Sequence, residues 1–419
     1  MDFKHQKLSC SDTSVVELRV FLFSVPLFIF PCGFIIVTYV YIFSTIAKIP
    51  STMGHRGSAE FDFPFDPSPY LSTAYSAGRK PNSVELPCPV KMEPARGRRR
   101  TQKQWRSLST MNQTRLIEFI LLGFGNLHSF GILLFILFLI IFLITVIGNL
   151  LIIILFSTNV QLQSPMYYFL CHLSVSDLVI SSTIVPNMLV AILLGRQLIT
   201  FVGCITQLYF YSVTIDTECF LLSVMSYDRY LAICNPLRYH VIMDFNQQIN
   251  LSLWPWILSL TLGIVGVLPI SNFNYCHENI IDSFYCEVFP LQQLSCSDTS
   301  LTELEALVFS VPLFILPCGF IIVTYVYIFH TIAKIPSTTG KHKAFSTCSS
   351  HLIVVGTFFG TLIVKYMIPS KGASILMNKI ISSLHTVFTP LFNPIIYSLR
   401  NQDIKMALQK FLANNRNFN

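Results

Sequence analysis

The sequence predicts an all-α membrane protein, a seven-transmembrane helix bundle with an atypical N-terminal extension. Three observations predict it. Of 419 residues, 53% are apolar and only 12% charged, against about 25% charged in a soluble chain. From residue 111 onward, seven apolar stretches reach the roughly 20 residues that a bilayer core requires. The loops joining them carry basic residues on one side and acidic residues on the other. The net charge of +7 is no sign of nucleic-acid binding. The basic residues lie in short loops, where positive-inside topology places them, so the expected partner is the lipid bilayer.

The extension has two parts. Residues 1–52 are dominated by a near-copy of a later segment: 8–52 repeats 294–338, both beginning Leu-Ser-Cys-Ser-Asp-Thr-Ser, with eight differences in 45 positions. An architectural repeat needs several diverged units. One fresh copy points instead to a recent duplication or a misjoined gene model. Residues 53–110 are a basic, Pro-rich linker containing Pro64, Pro67, Pro69 and Arg96-Gly-Arg-Arg-Arg100, a composition that favours disorder. If the copy inserted in the sense of its twin, the first span of the main bundle would begin on the wrong side. Either the copy does not span, or it inserts against its charge bias, or this chain is not the natural product; the last is favoured, with Met111 the expected authentic start and 111–419 the seven-span domain.

The spans run approximately 130–156, 166–194, 201–234, 249–270, 304–332, 346–368 and 374–398. The seventh is the least apolar. Its Asn378, Lys379, His385 and Asn393 would not tolerate lipid, so they are expected to face the bundle. Arg238, His240, Lys334, Lys341, Lys343, Arg400, Lys405 and Lys410 mark the cytosolic side; Glu278, Asp282, Glu287, Asp298, Glu303 and Glu305 mark the other. The segment before the first span is then extracellular and the C-terminus cytosolic. Asn112-Gln-Thr114 is a glycosylation sequon on the outer side.

Twelve cysteines divide by position. Cys171, Cys219, Cys234, Cys318 and Cys348 lie in apolar segments and suit packed thiols. Cys204, Cys276, Cys286 and Cys296 lie on the outer side and suit disulfides, with three connectivities open. The same loop holds His277 but no CxxC pair, which argues against zinc.

The chemistry concentrates in ordered motifs. Gly148-Asn149 lies in span one; Pro165-Met-Tyr-Tyr-Phe-Leu170 and Asp177 lie in span two. Met225-Ser-Tyr-Asp-Arg-Tyr-Leu-Ala-Ile-Cys-Asn-Pro-Leu-Arg-Tyr239 closes span three. Thr324-Tyr325 sits in span five, Lys343-Ala-Phe-Ser-Thr-Cys-Ser-Ser-His-Leu352 enters span six, and Pro390-Leu-Phe-Asn-Pro-Ile-Ile-Tyr-Ser-Leu-Arg-Asn401 ends span seven. An ionisable residue costs roughly 2.5–3.5 kcal/mol at a helix centre and less near the interface, so Asp228 and Arg229 mark a functional site. Pro394 removes a backbone donor and frees a carbonyl one turn back. Asp177, Asn149 and Glu218 are polar groups at mid-membrane depth that need partners. Tyr211 with Ile215, and Ser212 with Asp216, are one turn apart and share an inward sector. Phe359, Leu362 and Tyr366 form a similar stripe. Lys365 is expected to snorkel outward.

This ordered set resembles the olfactory (odorant) receptors, a family of rhodopsin-like (class A) G-protein-coupled receptors. The likeness covers essentially all of 111–419, whose opening Met111-Asn-Gln-Thr-Arg-Leu-Ile-Glu-Phe also looks like theirs. The resemblance implies a receptor for small hydrophobic or volatile odorants, coupled to a stimulatory olfactory-type heterotrimeric G protein and cyclic AMP at the plasma membrane. It implies no enzymatic activity and no obligatory cofactor. It implies that Asp228, Arg229, Tyr230, Tyr325, Asn393, Pro394 and Tyr397 form the activation switch. Arg229 would be held at rest and would meet Tyr325 and Tyr397 on activation. It likens Asp177 and Glu218 to an allosteric sodium pair, and places the ligand among Tyr211, Ser212, Ile215, Asp216, Phe359, Leu362 and Tyr366. Two departures stand out. Phe359-Gly360 replaces the usual Tyr-Gly, and Asp216 replaces a small residue, which would favour amine ligands. A non-olfactory class A receptor is disfavoured by the Pro165–Leu170 and Lys343–Leu352 motifs. A transporter would need inverted repeats and broken midplane helices.

Overall fold

The computed structural model describes residues 118–125, 130–276, 279–367, 375–400 and 402–416. The copy at 8–52, the linker at 53–110 and the Asn112 sequon lie outside the described residues.

Seven helical spans form a bundle. α1 is Gly131–Thr158, α2 Pro165–Leu194, α3 Phe201–Cys234 and α4 Phe245–Ser271. α5 runs through Ser300–Ser310, the π-turn Val311–Ile315 and Leu316–Lys334. α6 is Thr338–Met367. α7 is Ile375–Ser383, the π-turn Leu384–Phe388 and Thr389–Arg400. Six of these contain a helix long and apolar enough to cross a membrane; the π-turn divides α7 into pieces too short to qualify alone. A further helix, α8 (Gln402–Arg416), follows.

Local chemistry sets the boundaries. Pro165 opens α2 at a position where its missing N–H costs nothing. Gly195 closes α2 in the left-handed region at φ 71°. Thr200 caps α3 by accepting from the Gly203 amide at 3.1 Å, and Asp244 caps α4 by accepting from Gln247 at 2.8 Å. That cap starts α4 four residues before the apolar stretch begins.

Burial separates core helices from lipid-facing ones. α2 and α3 are almost wholly enclosed. α1 instead exposes Ile132, Leu133, Ile136, Ile140 and Ile147 while burying Phe138, Phe142, Thr145, Asn149 and Ile152. An exposed aliphatic face this long is suited to lipid. Lipid tails are as apolar as leucine, so packing and interhelical hydrogen bonds must hold such a bundle together.

One end carries a small sheet of order β2-β1-β3. β1 (Glu118–Leu121) pairs antiparallel with β2 (Gln197–Thr200) and parallel with β3 (Ile280–Ile281). Phe119 and Leu121, on one face of β1, are fully buried. Cys204 pairs with Cys286, and Cys276 with Cys296, at Cα separations of 5.6 and 5.8 Å. This selects one of the three connectivities open to sequence. The other five described cysteines are free thiols.

Candidate functional site

Three polar clusters run along the axis of the bundle. At the basic end, Asp228 is fully buried and forms an ion pair with Arg229 at 2.5 Å. Arg229 Nε donates to the same oxygen at 3.1 Å. The other oxygen, Oδ1, accepts from the Tyr239 hydroxyl at 2.7 Å. Tyr239 lies in a one-turn helix just after α3. Burial and the Asp228 carboxylate raise its hydroxyl above the ordinary phenol range, so it stays a donor at physiological pH. Tyr230 turns elsewhere: its ring lies 6.1 Å from Tyr327 and 6.4 Å from Tyr227.

Tyr325 of α5 is engaged by α6. His351 Nε2 sits 3.1 Å from the Leu222 carbonyl, which can only accept. Nε2 therefore carries the proton, Nδ1 accepts, and the Tyr325 hydroxyl donates to it at 2.8 Å. Tyr397 is fully buried and its hydroxyl has no hydrogen-bond partner among the described residues.

The middle cluster joins α1, α2, α3 and α7. Asn393 Nδ2 spans both Asp177 oxygens at 3.0 and 3.1 Å. Pro394 cannot donate to the carbonyl of Pro390, one turn back. Asn149 Nδ2 reaches across from α1 and supplies that bond at 3.2 Å. Gly148 makes the approach possible: a Cβ there would meet the Pro394 ring at 3.1 Å. The Gly-Asn pair on α1 and the Asn-Pro pair on α7 are thus two halves of one contact. Asn149 Oδ1, Ser174 Oγ, Thr217 Oγ1 and Glu218 Oε1 are buried without a partner among the described residues. Oxygen atoms left in this state suit a hard cation or water. No group of three or more His, Cys, Asp or Glu side chains gathers for a metal among the described residues.

At the disulfide end, a loop folds over the bundle. The Cys286 amide donates to Gln207 Oε1 at 2.8 Å, and Gln207 Nε2 donates to the Thr183 carbonyl at 2.9 Å. Lys365 points inward, which corrects the expectation that it snorkels. It donates to the Tyr211 hydroxyl at 2.8 Å and to the Tyr285 hydroxyl, and lies 3.3 Å from Glu287. Two tyrosine hydroxyls and a carboxylate outcompete the route to the interface. Tyr285 is fully enclosed; burial, then Glu287 and Tyr211, push its hydroxyl well above the usual range. Lys379 of α7 reaches Asp282 of the same loop.

Of the pocket candidates, Tyr211, Ile215, Asp216, Phe359 and Leu362 are buried. Ser212 is half-buried, and its hydroxyl donates to the Leu208 carbonyl at 3.0 Å. Asp216 forms no salt bridge among the described residues. The Tyr366 side chain lies outside the described ones. Sequence reasoning missed Tyr239, His351 and the inward turn of Lys365. The first two lie inside quoted motifs, and their role shows only once partners are placed.

The whole is a seven-helix bundle with buried polar links between spans and an Asp-Arg pair at its basic end. Squid rhodopsin, in its crystal structure, has the same fold, with a TM-score of 0.55 over 66% of this chain and 78% of that one, at 17% identity. A family model described as olfactory receptor matches residues 138–415. Olfactory receptor 11L1 of Homo sapiens is 44% identical over 306 residues, 73% of this chain and 95% of that protein. Olfactory receptor 1f45 of Rattus norvegicus is 42% identical over 306 residues, 73% and 98% respectively. The chain belongs to the olfactory receptor family and is a multi-pass membrane protein.

Proposed function

We propose that this receptor binds small hydrophobic or volatile odorants at its disulfide end. It passes the signal to a stimulatory, olfactory-type heterotrimeric G protein at its basic end and raises cyclic AMP. The disulfide end is then extracellular and the C-terminus cytosolic, in keeping with the loop charges. The observation that carries this reading is the arginine lock: Arg229 held by a fully buried Asp228, which Tyr239 also holds. With Tyr325 engaged by His351 and Tyr397 unpartnered, this arrangement suits a resting state. An odorant that binds better to a conformation with Arg229 released shifts the population toward it. A cyclic-AMP reporter screen of residues 111–419 with an odorant panel tests the reading. A surface-expressed receptor that answers no odorant through cyclic AMP contradicts it.

A sodium ion belongs to the same proposal. The Asp177 carboxylate and the unpartnered Glu218 and Asn149 oxygens supply hard ligands, and the ion would stabilise the resting conformation. Replacing sodium with an organic cation should change odorant potency in the native receptor but not in Asp177→Asn. Equal sodium sensitivity in both removes the ion from the account.

A further inference from the structure

We infer that His385 is the hydrogen-bond acceptor for a hydroxyl-bearing ligand, so that this receptor selects alcohols or phenols over their ethers. The inference rests on the odorant-receptor reading above and names a ligand class for it.

His385 lies in the π-turn of α7 and is 1% exposed. Its ring packs 5.6 Å from Phe358 of α6. No carboxylate contacts it among the described residues, so a charged ring would be buried and unpaired; the ring is neutral. A neutral imidazole has one donor and one acceptor nitrogen. Nδ1 meets Thr361 Oγ1 at 3.1 Å, while Thr361 Oγ1 donates its own proton to the Phe358 carbonyl at 2.9 Å. That hydroxyl has one proton, and it is spent. With both contacts kept at once, Nδ1–H donates to Thr361, which leaves Nε2 as a bare lone pair. Nε2 is buried and has no partner among the described residues.

An unmet acceptor in an apolar setting is a recognition element for a donor. Phe358, which touches the ring, packs edge-on against Phe359 with ring centroids 5.2 Å apart, and this contact joins the imidazole to the apolar wall nominated for the ligand. The complementary group is a neutral O–H on a hydrophobic body. An ether or ketone offers only another acceptor, and would face the lone pair without a bond.

The test uses the surface-expressed receptor and isomeric or matched pairs: octanol with dibutyl ether, benzyl alcohol with benzyl methyl ether, eugenol with methyleugenol, and octanal as an acceptor-only control. The native receptor should answer the hydroxyl members with at least about fivefold higher potency. His385→Phe keeps a ring but removes the acceptor, and should bring the ratio to about one. His385→Gln restores an acceptor oxygen and should recover part of it. Thr361→Val frees Nδ1 and permits the other tautomer. It should lower the hydroxyl preference and raise the response to octanal. Odorant responses with no hydroxyl preference, or a preference that survives His385→Phe, overturn the inference alone. A surface-expressed receptor that answers no odorant overturns the receptor reading and this inference with it.

Discussion

Replacing Tyr239 with phenylalanine should raise basal signalling. The substitution removes one hydroxyl and keeps the ring. The bond lost is a 2.7 Å contact between a neutral donor and the buried Asp228 carboxylate. Hydrogen bonds to charged groups contribute about 1.5–3 kcal/mol. Tyr239 is half-buried, which places this one near the lower end. If the bond exists only while Asp228 holds Arg229, about 1.5 kcal/mol of resting-state preference disappears, a shift of roughly tenfold in the equilibrium. A receptor resting with roughly one molecule in a hundred active would then rest with about one in ten. The assay is ligand-free nucleotide exchange on the G protein, normalised to surface receptor. Asp228→Asn, which also weakens the ion pair, should exceed it. The reasoning fails if both variants keep the native basal rate.

The two disulfides should differ in weight. Chain entropy assigns about 4.5 kcal/mol to Cys204–Cys286, with a sequence separation of 82, and about 3.3 kcal/mol to Cys276–Cys296, with a separation of 20; thermal denaturation and surface expression of the serine variants should fall in that order. Asn149→Leu leaves the Pro390 carbonyl unpaired and should cost about 1–3 kcal/mol. Gly148→Val should cost a similar amount by pushing against Pro394; both are read as loss of thermal stability in detergent. Asp216→Ala should weaken responses to amine odorants and spare uncharged ones, checked by concentration–response curves; unchanged amine potency would remove Asp216 from ligand recognition.

Long apolar runs made the spans legible, and the cost of burying charge in lipid singled out Asp228, Arg229 and Asp177 before any fold was known. The same argument turned α7 inward: Lys379, His385 and Asn393 are all buried. Features that depend on tertiary partners were not legible. The β1–β2–β3 sheet joins strands from three separate loops, and each is too short to declare itself. The π-turns of α5 and α7 leave no mark in hydropathy. An isolated helix offers Lys365 nothing better than the interface; Tyr211 and Tyr285 arrive from α3 and the covering loop. α8 is legible in Ile404, Ala407, Leu408 and Phe411 at helical spacing.

The most direct measurement is odorant-stimulated nucleotide exchange by Arg229→Gln at native surface density, with odorants taken from the reporter screen. If Arg229 is the group that the Asp228 lock restrains and activation releases, the variant should still bind odorant yet lose stimulated exchange. Stimulated exchange at the native level would mean that the buried arginine carries no signal.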